Sequence, residues 1–294
     1  MTVEPLEPVA AAAGSTPAGR THSLAGDLRL TGRQVVAEQK MFWRNPAAAG
    51  FTIVFPLLFL VIFSTINGTG DIALPTGIVV RFSSYYLAGI IVFAGVSACF
   101  TNLAINLAIR RDDGTLKRKR STPLPVWALF AGLLGSQLVV AVLMAAFTTA
   151  LSMAFFHVAM PRHVLALVGV VLLGAATMCA LGVAITAIIP NQDAAPAIVN
   201  VIAFPALFLS GLFFPVGTGF LHSVGEVLPL ARLQSATFDS FAPDMRHCEL
   251  VRGCTATVVH SSGPRAADIG VVLIWLVVGT VVSVRSFRWV KKGE

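Results

Sequence analysis

The chain is poor in charge. Asp, Glu, Lys and Arg make up only 12% of its 294 residues, against roughly 25% in a soluble domain, so a soluble globular protein is excluded. Cysteine is held to 4 and tyrosine to 2. No Cys-x-x-Cys spacing occurs, and the cluster His157, Arg162 and His163 has no cysteine or carboxylate beside it. It reads as a polar turn, not a metal site. The net charge of +7 raises nucleic acid as a partner. No basic groove interleaved with stacking aromatics is present, so that class is set aside. The long apolar runs hold no acid or base. An ion-coupled carrier ordinarily keeps such a group inside the membrane, so this absence argues against proton or sodium coupling.

What is abundant is apolar: 56% of the residues, including 20 Phe. Uncharged runs of about 20 residues recur, each long enough to cross a bilayer. The pattern predicts an all-α polytopic membrane protein with six transmembrane helices, at about residues 47–66, 85–109, 126–156, 164–189, 194–214 and 269–284. The run at 126–156 would form a helix of roughly 45 Å, longer than the hydrocarbon requires. Counting charge on the two sides orients the chain. One side collects 15 of the 21 basic residues and a net +7; the other balances to zero. The positive side is cytoplasmic, which puts both termini inside.

Residues 1–23 are rich in Ala, Pro, Gly, Ser and Thr and are expected to be a disordered tail. They lack the apolar core of a signal peptide. Gly14 to Thr21 comes within one residue of a phosphate-binding loop, with Arg20 in place of Lys. It lacks the flanking strand and helix such a loop needs, so no nucleotide site is expected on this chain. Residues 24–45 alternate apolar side chains with Arg29, Arg33, Glu38, Lys40 and Arg44. They predict an amphipathic helix in the membrane interface. Pro56 should kink the first span, and Tyr85 and Tyr86 suit an interfacial entry to the second. Asn102 and Asn106 share one face of that second span, either bonding a neighbouring helix or lining a polar path. Asn200 is a third intramembrane amide.

Residues 215–265 form the one large external segment. Phe220 to Phe241 is too polar to span and predicts short re-entrant or interfacial helices between spans five and six. Cys248 and Cys254 both fall in this segment; they are either bridged, in an oxidising exterior, or two free thiols. Glu226, Asp239, Asp244, His247 and Glu249 are the only candidates for a membrane-surface enzyme, and an ordinary hydrated loop accounts for them.

The most charged stretch is Arg110 to Pro125, RRDDGTLKRKRSTPLP. It carries six Lys or Arg and the acidic pair Asp112 and Asp113, between two uncharged runs. Such a segment cannot sit in lipid and predicts a cytoplasmic loop. It resembles the central loop of the ABC-2 type transporter permeases, particularly the daunorubicin-resistance-like exporters of actinobacteria. LFLSGLFFP resembles that family's Ser-Gly-x-x-Phe-Pro element at the end of the fifth span, and Leu228-Pro229-Leu230 its following Leu-Pro. The Lys-Arg-Lys-Arg before Ser-Thr-Pro is more basic than the family pattern. The resemblance covers roughly residues 30–290.

It implies a half-transporter of a bacterial plasma membrane. Two six-span subunits, alike or different, would pair on separate soluble ATP-binding subunits, which would hold the ATP and Mg. It implies that the interfacial N-terminal helix and the central loop contact the ATP-binding subunit, with Arg111, Asp112, Asp113, Gly114, Thr115, Leu116 and Lys117 as the coupling segment. Ser210, Gly211, Phe213, Phe214 and Pro215 would close the path on the outside. The cargo would be a hydrophobic or amphipathic drug, lipid or glycolipid. The rival reading is a gradient-driven secondary carrier or channel, which would transport without any ATPase partner.

Overall fold

The computed structural model describes residues 24–67, 70–73, 78–115, 126–156, 158–213, 219–241, 245–249, 253–259 and 262–286. The predicted tail at 1–23 falls outside them, as do Leu116, Lys117, Phe214 and Pro215. Helix α1 runs Leu24–Arg44 and α2 Pro46–Asn67. Two short strands follow, β1 Asp71–Ala73 and β2 Ile78–Arg81. Helix α3 spans Phe82–Asp112 and α4 Val126–Phe156. Then come α5 Val164–Ile185, α6 Ala195–Leu209, α7 Phe220–Val227 and α8 Pro229–Phe241. Strands β3 Met245–Glu249 and β4 Gly253–Val259 precede the last helix, α9 Ala266–Ser286.

Among the described residues five helices, α2, α3, α4, α5 and α9, are long and apolar enough to cross a membrane; α6 is apolar but shorter. The protein is a multi-pass membrane protein. Several boundaries differ from the sequence expectation. Helix α3 starts three residues before Tyr85, because β2 runs straight into it. Span five was expected through residue 214, but helix ends at Leu209 because Gly211 adopts φ +73°, a left-handed conformation that stops a helix at little cost only for glycine. The last span is longer than expected, since Asp268 is neutralised by Arg232 and can join the first turn of α9.

Helix α3 is the axis of the molecule. In its apolar 18-residue stretch 72% of the residues are buried, against 17% in that of α9 at the periphery. Tyr86, Leu87, Ile90, Leu103 and Leu107 are fully enclosed. Tyr86 therefore is a core residue, not an interfacial anchor. Midway, Val96–Asn102 widens into a π-type stretch, a feature that often marks functional positions in helices. Gly182 of α5 lies against it: a Cβ there would come 3.0 Å from the carbonyl oxygen of Cys99.

The external segment is not helical throughout. The four strands form one antiparallel sheet in the order β1-β2-β3-β4. Asp71 faces Arg81 across the first hairpin and Cys248 faces Cys254 across the last. Helix α8, expected to be re-entrant or interfacial, packs inside the bundle. Pro229, Leu230, Leu233 and Ala236 through Phe241 are buried, because α8 wedges between α3, α5 and α9.

Candidate functional site: a charged clasp and an aromatic seal

The two ends of α3 carry two different constructions. At the end that leads into the basic loop, Arg110, Arg111 and Asp112 are built into other elements. Arg110 donates to both oxygens of Glu38 on α1, at 2.9 and 2.6 Å. Gln34 also donates to Glu38, at 3.1 Å. The Glu38 side chain is only 3% exposed and that of Arg110 15%, so this is a nearly dry, two-pronged ion pair of the strong kind.

Arg111 turns the opposite way. Its guanidinium donates to the carbonyls of Thr186 and Ile189 at 3.1 and 2.9 Å, which lie just past the last turn of α5. These carbonyls lack helix partners, and a cation satisfies them and the negative end of the helix dipole together. Asp112 bonds Arg111 at 3.2 Å and accepts from the backbone N–H of Gln192 at 2.7 Å. Three adjacent residues of α3 thus bind α1 on one side and the α5–α6 turn on the other. Asp113 is exposed at the helix end, and Gly114 follows at φ +69°. Thr115 is half-buried.

The predicted segment Arg111 to Lys117 therefore separates into two parts. Arg111 and Asp112 are fastened within the fold, while Asp113 is exposed and Gly114 follows it past the helix end. Glu38 and Arg110 were not singled out by sequence reasoning. The available signal was that Glu38 lies about 160° around α1 from the middle of the stripe of Arg29, Arg33 and Lys40. An acid on the uncharged face of a basic helix needs a buried cation.

Helix α1 is held close as well. Gln39 donates to the carbonyl and hydroxyl of Ser136 at 2.7 and 3.1 Å. A Cβ on Gly132 of α4 would fall 2.2 Å from Gln34 Cγ, so glycine there is what lets α1 lie against α4.

At the sheet end of α3, the Ser210 to Phe213 turn closes over the bundle. Leu212 and Phe213 are buried. Phe213 sits in a ring cluster with Phe59, Phe63, Phe93 and Tyr86, at centroid distances of 5.4, 6.3, 5.5 and 6.5 Å. Tyr85 donates to the Gly211 carbonyl at 2.7 Å. A Cβ on Gly89 would lie 2.3 Å from the carbonyl oxygen of Leu212, so α3 and the turn are in backbone contact. Ser210 is buried. Gly225 approaches the Leu209 carbonyl equally closely, which presses α7 onto the same turn.

Between the ends, Asn102 donates to Thr52 of α2 at 3.2 Å. Asn106 donates to the carbonyl of Asn102 at 2.9 Å and also to its side-chain oxygen. The pair ties α2 to α3. Asn200 sits half-buried on α6, apart from them. On the sheet side, Arg232 pairs with buried Asp268 at 3.0 Å and with Glu226 at 3.6 Å, and Arg265 with Asp239 at 3.5 Å. The acids considered for an enzyme thus divide: Glu226 and Asp239 are structural ion-pair members, while His247 and Glu249 fall on β3 and Asp244 outside the described residues. Among the described residues no group of three or more His, Cys, Asp or Glu could hold a metal.

A family model described as ABC-2 type transporter matches residues 33–241. That span contains the clasp, the aromatic seal and all of α3. A search of curated proteins found no match.

Proposed function

Since the chain belongs to the ABC-2 type transporter family, a permease component of an ABC transporter, we propose that it is the membrane subunit of an ATP-driven exporter. Its cargo is a hydrophobic or amphipathic molecule: a drug, a lipid or a glycolipid. The ATP and Mg are held by a separate soluble ATP-binding subunit, and a second permease subunit completes the assembly. The loop end of α3 and both termini face the cytoplasm of a bacterial plasma membrane, and α6 completes a set of six crossings. The positive-inside count supports that orientation.

The observation that carries the reading is the clasp. A loop that only linked two spans would need no fastening. Here its root is anchored to α1 through Glu38 and to the α5–α6 turn through Thr186, Ile189 and Gln192. Force applied by a docked subunit at Asp113–Lys117 would move three elements as one. Helix α3 is about 46 Å long at 1.5 Å per residue and joins that root to the aromatic seal. It can carry a displacement as a stiff lever whose weak point is the π stretch. Ser210 to Pro215 is the element that yields at the far end. The apolar interior, relieved by Asn, Ser and Thr, suits an amphipathic cargo.

The test is reconstitution in vesicles with the candidate ATP-binding subunit. ATP-dependent movement of a fluorescent amphipathic dye that needs both chains supports the proposal. Transport by the permease alone, driven by an ion gradient without ATP, overturns it in favour of a secondary carrier.

A further inference from the structure

The outward face of α1 carries a row of exposed cations beside apolar side chains. At 100° per residue, Arg29, Arg33, Lys40 and Arg44 fall within about 60° of one another on the helix surface, in a stripe roughly 22 Å long. All four are exposed. Glu38 points the other way, into its pair with Arg110, and does not neutralise the stripe. Val36 and Trp43 flank it and are each 54% exposed.

Two open grooves run along this face. One, of about 680 Å³, is lined by Arg29, Gly32, Arg33, Val36, Ala37 and Lys40. The other, of about 570 Å³, is lined mainly by Val36, Lys40, Trp43, Arg44 and Val139. Lys40 and Val36 belong to both. Val139 comes from α4, one of the membrane-crossing helices, and is itself 41% exposed. It gives the second groove an apolar wall contributed by a helix long and apolar enough to cross a membrane. Trp43 donates its indole N–H to Gln39 at 3.2 Å, which holds the ring in place along the groove.

We propose that the groove between α1 and α4 is a binding site for an anionic phospholipid, with the headgroup phosphate between Lys40 and Arg44 and an acyl chain over Val36, Trp43 and Val139. Two cations at the head and an apolar wall beneath match the two ends of that ligand, whereas an acidic protein surface would match only the cations. The site rests on the reading of α1 as an interfacial helix, but it requires neither ATP nor a partner subunit. Each cation near an anionic headgroup contributes about 1 kcal/mol, or roughly fivefold in affinity.

The test uses the full chain with Trp127, Trp275 and Trp289 replaced by Phe, leaving Trp43 as reporter. It is reconstituted in phosphatidylcholine vesicles containing a small fraction of either phosphatidylglycerol or phosphatidylcholine with brominated chains. Brominated phosphatidylglycerol is expected to quench Trp43 at roughly 25-fold lower mole fraction than brominated phosphatidylcholine. The preference should vanish in Lys40→Gln/Arg44→Gln and survive in the charge-keeping Lys40→Arg/Arg44→Lys. Equal quenching by both lipids would overturn the proposal, as would a preference that persists in the Gln variant. Displacement of the brominated lipid by added ATP-binding subunit would also overturn it and give the groove to that protein. None of these results depends on transport, so failure here leaves the exporter reading standing, and loss of ATP-driven transport leaves this one standing.

Discussion

Replacing Glu38 with Gln removes the charge that Arg110 faces while keeping the shape of the side chain. Breaking a buried pair by neutralising one member ordinarily costs 3–5 kcal/mol, because the remaining ion is left without compensation. Arg110 keeps a 15% exposed side chain and can recruit water, so the cost should fall to about 2–3 kcal/mol. Thermal unfolding in mild detergent, followed by size-exclusion chromatography, measures it. Arg110→Gln alone should cost a similar amount. The double variant should recover about 2 kcal/mol of the sum, since both charges are gone and the remaining amides can bond one another. The same cycle should appear in function: each single variant keeps the ATP-binding subunit but loses cargo stimulation of its ATPase. Strictly additive losses in the double variant would refute the clasp, because they would mean that Glu38 and Arg110 act independently.

Asp112→Asn should lower stability by about 1–2 kcal/mol, since it weakens the bonds to Arg111 and to the Gln192 N–H; Asp113→Asn should leave the melting temperature unchanged and lower only recovery of the ATP-binding subunit. Gly89→Ala would press a methyl group into the Leu212 carbonyl. It should cost about 1–3 kcal/mol and raise passive dye leak through reconstituted vesicles, the readout that separates an opened seal from simple destabilisation. Gly211→Ala is strained at φ +73° and should cost about 1–2 kcal/mol in the same unfolding assay. Cys248 and Cys254 occupy directly opposed positions on β3 and β4. On intact cells a membrane-impermeant maleimide should label neither until reductant is added, and labelling without reductant would show two free thiols.

Much of the architecture is legible in the sequence because lipid imposes a simple rule: a crossing segment must be apolar and helical. That rule locates α2, α4 and α5 closely. It is silent where the chain leaves lipid. The sheet was missed because its strands are three to seven residues long and pair across about 170 residues of sequence, from β2 to β3. No local pattern reports such a pairing, although the Thr-Ala-Thr-Val-Val run of β4 carries β propensity. Helix α8 was read as re-entrant or interfacial because Arg232 and Asp239 made it look too polar to span; both charges are paired, with Asp268 and Arg265 respectively. The loop at Arg110 stood out by charge alone, yet charge could not say which members are fastened. Arg111 and Asp112 are separated from Asp113 only by which way each faces at the end of α3. The Ser-Gly-x-x-Phe-Pro element was visible as a motif, while the setting of its first four residues, a left-handed Gly211, a Leu212 carbonyl against Gly89 and Phe213 in an aromatic cluster, came from helices distant in sequence.

The central claim is that an ATP-binding subunit grips this permease at the root of the charged loop. The most direct test is purification of the tagged protein from native membranes in mild detergent, with Asp113→Asn in parallel. The account predicts that the natural protein brings down a phosphate-loop ATPase in equal amount, and that the variant, folded to the same melting temperature, recovers little of it. Recovery of the permease alone, with uptake or efflux intact in vesicles that contain no ATP, would contradict the account.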